Sequence, residues 1–304
     1  CHLLRTPRQR YEFMKNYRAL FPLDQMAQVL GVSRSGYYDF LKRKPSKRDL
    51  ENKETLKKIR SIFEESHETY GSPRIYAELS DQGTTCSRRK VARLMKKEGI
   101  QAKMYKKFVK TTKHLENNTR PTQDLVQQNF YSPLPNKVWV ADITFIAINR
   151  TWAYLAVILD LFSRKIVGMA LSNHMRSSLV LAALHQALLL RRPSSGLIHH
   201  SDLGSQYTSH DFYNVAQTHG IKLSYGKTGS AYDNSAMESF FHTLKTEHVY
   251  FKSYKTLEES KTDIFEYIFT FYNSKRRHST LNYQSPNQWE RNYYNNQTVS
   301  VHSV

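Results

Sequence analysis

Three apolar runs follow one another with barely a break: "VWVADITFIAI" from Val138, "WAYLAVILDLFS" from Trp152 and "KIVGMAL" from Lys165. β-branched and aromatic residues dominate them, and the turns between are too short for a crossover, so they read as three antiparallel strands. A helix over Ser177–Arg191 follows, then the strand "LIHHSD", a helix near 209–219, the strand "KLSYG", a long helix from Ser235 and another from Leu257 to about Lys275. Strands interleaved in this way with helices predict an α/β fold. Its core is a mixed five-stranded sheet with helices on both faces, the ribonuclease-H-like order of elements.

Within that core three acids stand apart from ordinary surface charge. Asp142 lies inside the first strand, Asp202 ends the fourth, and Glu238 sits one turn into the helix from Ser235. A charge seldom occupies the buried face of a central strand without a partner. In this element order the first and fourth strands are neighbours, which would bring Asp142 and Asp202 to the edge where sheet ligands gather. Each acid also has an ordinary explanation: Asp142 could face solvent, Asp202 could cap the next turn, and Ser235 with Glu238 spells a capping box. Lys245, seven residues after Glu238, falls on the same helix face with His242 between them, and Met237, Phe241 and Leu244 form the inward stripe.

The front of the chain has a different character. Residues 1–137 hold 29 Lys and Arg against 14 Asp and Glu, leaving +15 of the total +19; the remainder carries only +4. A surplus of this kind serves a polyanion. The segment "FPLDQMAQVLGVSRSGYYDFLKRK" places two short helices around Gly31, with Ser33 as N-cap, as in a helix-turn-helix. Its second helix would carry Arg34, Ser35 and Tyr38 outward, with Phe40 and Leu41 turned in. "KRKPSKRD" at 42–49 reads as a linker. After it come a helix near 54–66, "YGSPRIYAEL" with Pro73 at a helix start, and "SRRKVARLMKKEGI". In this last stretch Ser87 caps, Val91, Leu94 and Met95 face inward, and Arg88, Arg89, Arg93 and Lys96 lie outside. Residues 103–137 read as a linker. No apolar run reaches the ~20 residues that span a bilayer, and the start "CHLLRTPRQRYEF" lacks a signal core. Two cysteines, Cys1 and Cys86, exclude a disulfide framework and fit a reducing, cytoplasmic setting. The start on Cys1 rather than Met reads as the downstream part of a longer frame or as a trimmed chain.

The domain boundaries expected are 1–48 for the first helix-turn-helix, 49–120 for a second helical DNA-binding module, 121–137 for a linker, 138–290 for the catalytic core and 291–304 for a tail.

Asp142, Asp202 and Glu238, with thirty-five residues between the last two and Lys245 beyond, resemble the DDE signature of the retroviral-integrase superfamily. The strings "VWVADITFI", "LDLFSRKIVGMAL", "HHSDLGSQYTS" and "DNSAMESFFHTLKTE" resemble more narrowly the second-frame (B) proteins of bacterial insertion-sequence transposases of the IS-three family. "FYNSKRRHSTLNYQSPNQW", with Tyr272, Asn273, Arg276 and His278, is similar to that family's closing segment, and "YGSPRIYAEL" to its N-terminal helical module. The integrases' His-His-Cys-Cys zinc module has no counterpart around Cys86, so no zinc is expected.

The resemblance implies a DNA transposase that cuts and joins strands at the terminal repeats of its own element. It also implies work as a homo-oligomer holding two DNA ends in a synaptic complex, and frequent synthesis as a fusion with a first-frame partner; a nucleoid-associated location fits. Three carboxylates in one cleft repel by about 4 kcal/mol per close pair at ~4 Å and an effective dielectric near 20. Hard oxygen ligands select Mg²⁺ or Mn²⁺, and two such ions would clamp an in-line displacement at phosphorus. Asp142, Asp202 and Glu238 would then be metal ligands, Lys245 would steady DNA, and Arg276 and His278 would contact phosphate. A DNA-binding regulator without chemistry and a ribonuclease-H-like nuclease are the competing readings. Lesser expectations concern Asp160 as a hairpin-turn residue, His199 and His200 with at most one facing the cleft, Gly204 as a close backbone approach, and a loop loosened by Gly226 and Gly229 and organised by Asp233 and Asn234.

Overall fold

The computed structural model describes residues 4–104, 123–226 and 234–301. It divides into two compact units, residues 1–61 and 62–304.

The first unit holds α1 (Pro7–Tyr17), α2 (Leu23–Leu30), α3 (Arg34–Lys42) and most of α4 (Lys47–Glu65). Thr6 and Gln9 close a capping box at the start of α1. Gly31 ends α2 in the left-handed region at φ 61°, a conformation open to glycine without steric cost, and the Ser33 hydroxyl accepts from Gly36 N–H to start α3. This is the expected turn. Its core differs from the expectation in one respect: Tyr37, packed with Met14, Met26 and Ala27, is the buried side chain of α3. Phe40 meets the Tyr11 ring at 5.6 Å, whereas Leu41 is exposed. The basic stretch expected as a linker at 42–49 shrinks to four residues, because α4 already begins at Lys47, where Ser46 and Asp49 exchange hydrogen bonds.

In the second unit, α5 (Ser72–Asp81) and α6 (Arg88–Lys97) pack together. Ser87 caps α6 by accepting from Lys90 N–H, and Val91, Leu94 and Met95 are buried as the apolar stripe requires.

The sheet consists of β1 (Val138–Ile148), β2 (Thr151–Asp160), β3 (Lys165–Ser172), β4 (Ile198–Ser201) and β5 (Lys222–Tyr225), in the order β3-β2-β1-β4-β5. The first three are antiparallel, while β4 pairs parallel with β1 and β5 parallel with β4. One face carries α7 (Ser177–Arg191) and α8 (His210–Thr218), with Trp139, Ala141, Ala156, Val167 and Ile158 in the core beneath them. Gly168 lets α7 lie close on β3, since a Cβ there would overlap the Ala183 carbonyl. α9 (Ser235–Glu247) packs against β1, and α10 (Leu257–Glu266) against β3; a π-helical stretch, Tyr267–Tyr272, continues α10.

The 103–137 stretch is partly outside the described residues, and from Gln123 onward it is built onto the sheet. Tyr225 N–H donates to the Gln123 carbonyl and Leu125 N–H to Ser224 Oγ at 2.9 Å. The expected tail after residue 290 is also revised, because α11 (Pro286–Val301) runs straight through that boundary. Glu290 on α11 accepts from Arg191 at 2.8 Å, Lys165 at 3.0 Å and Ser163 at 2.8 Å, all buried or nearly so. Among the described residues no helix is long and apolar enough to cross a membrane.

Candidate active site

β1 alternates, and the half-buried Asp142 shares its face with Thr144, Ile146 and Ile148, which are buried. This is the face against which α9 packs. On the neighbouring strand, Val140 pairs with His200; continuing that parallel register two residues sets Asp142 beside Asp202. Asn234, just ahead of α9, donates from Nδ2 to the Ala141 carbonyl at 3.0 Å and so ties the head of the helix to the strand beside Asp142.

The electrostatics carry the imprint of that convergence. The Asp142 carboxyl is pushed up to about 7, first by burial and next by the Asp202 carboxylate. The Ile143 N–H, donating to Oδ1 at 2.7 Å, pulls it back down; Glu238 adds to the rise and Lys245 opposes it. Burial lowers the Lys245 ammonium and the charge of Asp142 offsets that. Asp142 therefore senses each of the other three.

The ordinary readings of these residues fare differently. Asp142 is not a solvent-facing strand residue. Asp202 does brace the following turn, accepting from Gly204 N–H at 3.1 Å, and its side chain is nonetheless exposed. Gly204 is the close approach expected, because a Cβ there would sit 3.0 Å from Asp202 Oδ1 and 2.8 Å from Gln206 Oε1. The capping box fails: the N-cap is Asn234, which puts Glu238 one position beyond N3. Glu238 is exposed and has no hydrogen bond or ion pair among the described residues.

Other expectations resolve as follows. Asp160 is fully buried, accepting from Asn136 and Phe162 N–H and meeting Arg191 at 3.2 Å, so it braces the strand end away from Asp142. His199 and His200 are both buried, and neither faces a cleft. His199 lies among Tyr207 and Phe212 with both ring nitrogens unpartnered, and burial drives its pKa down to about 3; His200 Nδ1 pairs with Ser224 Oγ. Gly229 and Asp233 fall outside the described residues.

Arg276 and His278 require correction as phosphate contacts. Arg276 is 4% exposed and places two nitrogens on Glu247 at 2.7 Å, while Arg74 reaches the same carboxylate at 3.3 Å. His278 Nε2 accepts from Arg276 Nη1 at 3.3 Å, and burial with the nearby arginine charges holds it well below its ordinary pKa, hence neutral. The partner that sequesters Arg276 lies 29 positions upstream, a distance at which sequence gives no pairing signal.

Arg88, Arg89 and Arg93 are exposed along α6, with no ion-pair partner among the described residues. Arg34 is exposed at the start of α3 with Asp24 at 2.7 Å, and Tyr38 is exposed beside it. Tyr207 was missed as a neighbour of the acids: burial, then Asp142 and Asp202, raise its phenol well above the usual range. Its place in "GSQYTS" five residues after Asp202 was the available signal.

The raised carboxyl makes a stability prediction. An acid whose folded pKa exceeds its unfolded value costs nothing below pH ~4, and the cost grows as pH rises towards the folded value. A move from 3.8 to about 7 is worth at most about 4 kcal/mol. Asp142→Asn should thus raise the melting temperature at pH 8, in chelator, by several degrees and leave it unchanged at pH 4. A gain equal at both pH values would refute the assignment.

Comparison with known proteins agrees with this architecture. The integrase core domain family matches residues 132–231 and, in a second form, 219–286; an HTH-like domain family matches 49–108. The chain is 39% identical to the insertion element IS600 uncharacterized 31 kDa protein of Shigella sonnei over 269 residues, 88% of this chain and 98% of that one. It is 34% identical to the transposase InsF for insertion sequence IS3A of Escherichia coli (strain K12) over 283 residues, 92% of this chain and 98% of that one. Among solved structures, the HTLV-2 integrase catalytic core domain in complex with magnesium (trimeric form) aligns with a TM-score of 0.38 at 18% identity, covering 51% of this chain and 97% of that one. An integrase-type core behind a helix-turn-helix-like module defines the class. Within it, the chain belongs to the IS3 (IS-three) family of insertion-sequence transposases.

Proposed function

We propose that this protein binds the terminal inverted repeats of its insertion sequence and catalyses metal-dependent cleavage and transfer of DNA strands at Asp142, Asp202 and Glu238. The observation that carries the reading is the coupling of Asp142 to Asp202, Glu238 and Lys245 on the face between β1 and α9.

Among the described residues no three His, Cys, Asp or Glu side chains stand at metal-ligand spacing. The acids are close enough to repel and too open to form a finished cage. A set of hard oxygens whose repulsion a cation would relieve, with Glu238 exposed and uncommitted, suits Mg²⁺ or Mn²⁺. Asp142, Asp202 and Glu238 would hold it, two ions to a site. When bound, it would supply charge stabilisation for the oxygens of an in-line phosphoryl displacement. The chain's own groups do the rest. β1 and β4 fix the two aspartates, α9 brings Glu238 to them, and Lys245 steadies a passing phosphate. Arg88, Arg89 and Arg93 on α6, with Arg34 and Tyr38 on α3, present cations and an aromatic ring to duplex DNA. Double-stranded DNA, as transposon ends and target, is the partner in this reading. Two ends call for a homo-oligomer in a synaptic complex, and a first-frame protein is a further partner.

The test is a labelled duplex ending in the terminal repeat, incubated with the protein, target plasmid and Mg²⁺. Joined product is expected from the repeat and not from a scrambled end. Equal joining from both, or none from either, would overturn the reading.

A further inference from the structure

The helical module and the catalytic helix meet through one continuous set of contacts that the activity alone does not require. Arg277 donates from Nε to Glu78 at 2.5 Å and from Nη1 to the Tyr283 carbonyl at 2.8 Å, and its Nη1 lies 2.7 Å from Asp81. The Tyr70 hydroxyl accepts from Arg277 N–H at 2.8 Å and donates to the Lys275 carbonyl at 3.2 Å. Arg74, stacked over the Tyr70 ring, reaches Glu247 at 3.3 Å, and Glu247 is the last residue of α9. Glu78 and Asp81 belong to α5, the helix packed on α6.

These contacts form a path. It begins at the basic face of α6 (Arg88, Arg89, Arg93), passes into α5, crosses through Arg277 and Arg74, and ends on the helix that carries Glu238 at its other end. Side-chain hydrogen bonds to half-buried charges are the strong kind, and the Arg277 fork engages two carboxylates and a carbonyl at once. A module joined to the core by chain alone would need no such clasp.

We propose that Tyr70, Arg74, Glu78, Asp81 and Arg277 form a latch that fixes the DNA-reading helix α6 at a set distance from Asp142, Asp202 and Glu238, so that the chain measures which phosphodiester is cut. The inference rests on the functional reading above. The five are positioning residues: none touches the reacting atoms.

Replacing Glu78→Gln, Asp81→Asn and Arg277→Met together with Tyr70→Phe and Arg74→Gln removes both sides of the latch, and with Arg276 still on Glu247 it leaves no lone buried charge. Two readouts decide. In the full chain with Cys1→Ser and Cys86→Ser, spin labels at exposed positions 97 on α6 and 214 on α8 should give one narrow distance distribution, and the latch variant one at least twofold broader. On terminal-repeat DNA with Mg²⁺, the unaltered protein should nick one phosphodiester. The variant should spread its nicks over neighbouring positions while nicking a generic supercoiled plasmid within about twofold of the original rate. An equally narrow distance in the variant, or a nick that stays at one position despite a broadened distance, overturns the latch. Were the unaltered protein to cut no repeat at all, the catalytic reading would fail, and the spin-label comparison would still judge the latch.

Discussion

Glu238→Gln should lower strand transfer by about 10³-fold, equal to about 4 kcal/mol of barrier, with the melting temperature unchanged within error. The side chain is exposed, lies outside the capping box, and forms no hydrogen bond or ion pair among the described residues, so its loss has no structural route by which to act. Glutamine keeps the length and one carbonyl oxygen; it forfeits the negative charge that a hard cation needs. Asp202→Asn should match it in activity, and its amide oxygen keeps the acceptor for the Gly204 N–H. DNA binding at low salt should survive both changes, which separates chemistry from grip. Gel quantitation of joined product in Mg²⁺ is the measurement. Wild-type yields from either variant would remove these acids from the reaction.

The second large effect concerns salt. With +19 overall, concentrated in residues 1–137, the chain should bind duplex DNA chiefly by displacing counterions. For about 6–10 phosphate contacts, affinity should fall by about 10³–10⁵ between 50 and 200 mM salt. Arg88→Ala, Arg89→Ala and Arg93→Ala should each reduce the slope of log affinity against log salt by about 0.9, since these exposed arginines are committed to no carboxylate. Arg276→Ala should leave the slope unchanged, because its charge is consumed by Glu247 inside the fold; it should instead cost about 3 kcal/mol of stability by leaving that buried carboxylate to Arg74 alone. Fluorescence anisotropy across a salt series distinguishes the two classes, and an Arg276 effect on slope equal to that of Arg88 would contradict the burial argument.

The core was legible because its strands announce themselves by composition and its helices by caps. β1 begins and ends where "VWVADITFIAI" does, α7 spans the expected Ser177–Arg191, and Ser33 and Ser87 cap the helices they precede. The neighbourhood of β1 and β4 followed from the order of elements. What stayed hidden was set by partners remote in the chain. Arg276 looked like a surface cation until Glu247 was seen to hold it; Asp160 is the hairpin-turn residue expected, and only the pairing with Arg191 that keeps it buried was hidden. Tyr37 rather than Leu41 fills the small N-terminal core, because Met14, Met26 and Ala27 close on the first turns of α3, while Leu41, a turn further along the same face, lies beyond them and stays exposed.

The clasp of Glu290 on Arg191, Lys165 and Ser163 bears on how the molecule is born. Two cations of the central domain wait for an acid that follows Lys165 by 125 residues and Arg191 by 99. Until Glu290 arrives, Lys165 lacks its counterpart and Arg191 has Asp160 alone, so this corner of the domain is completed only when α11 docks. The settling of this corner of the domain is thereby tied to the docking of α11.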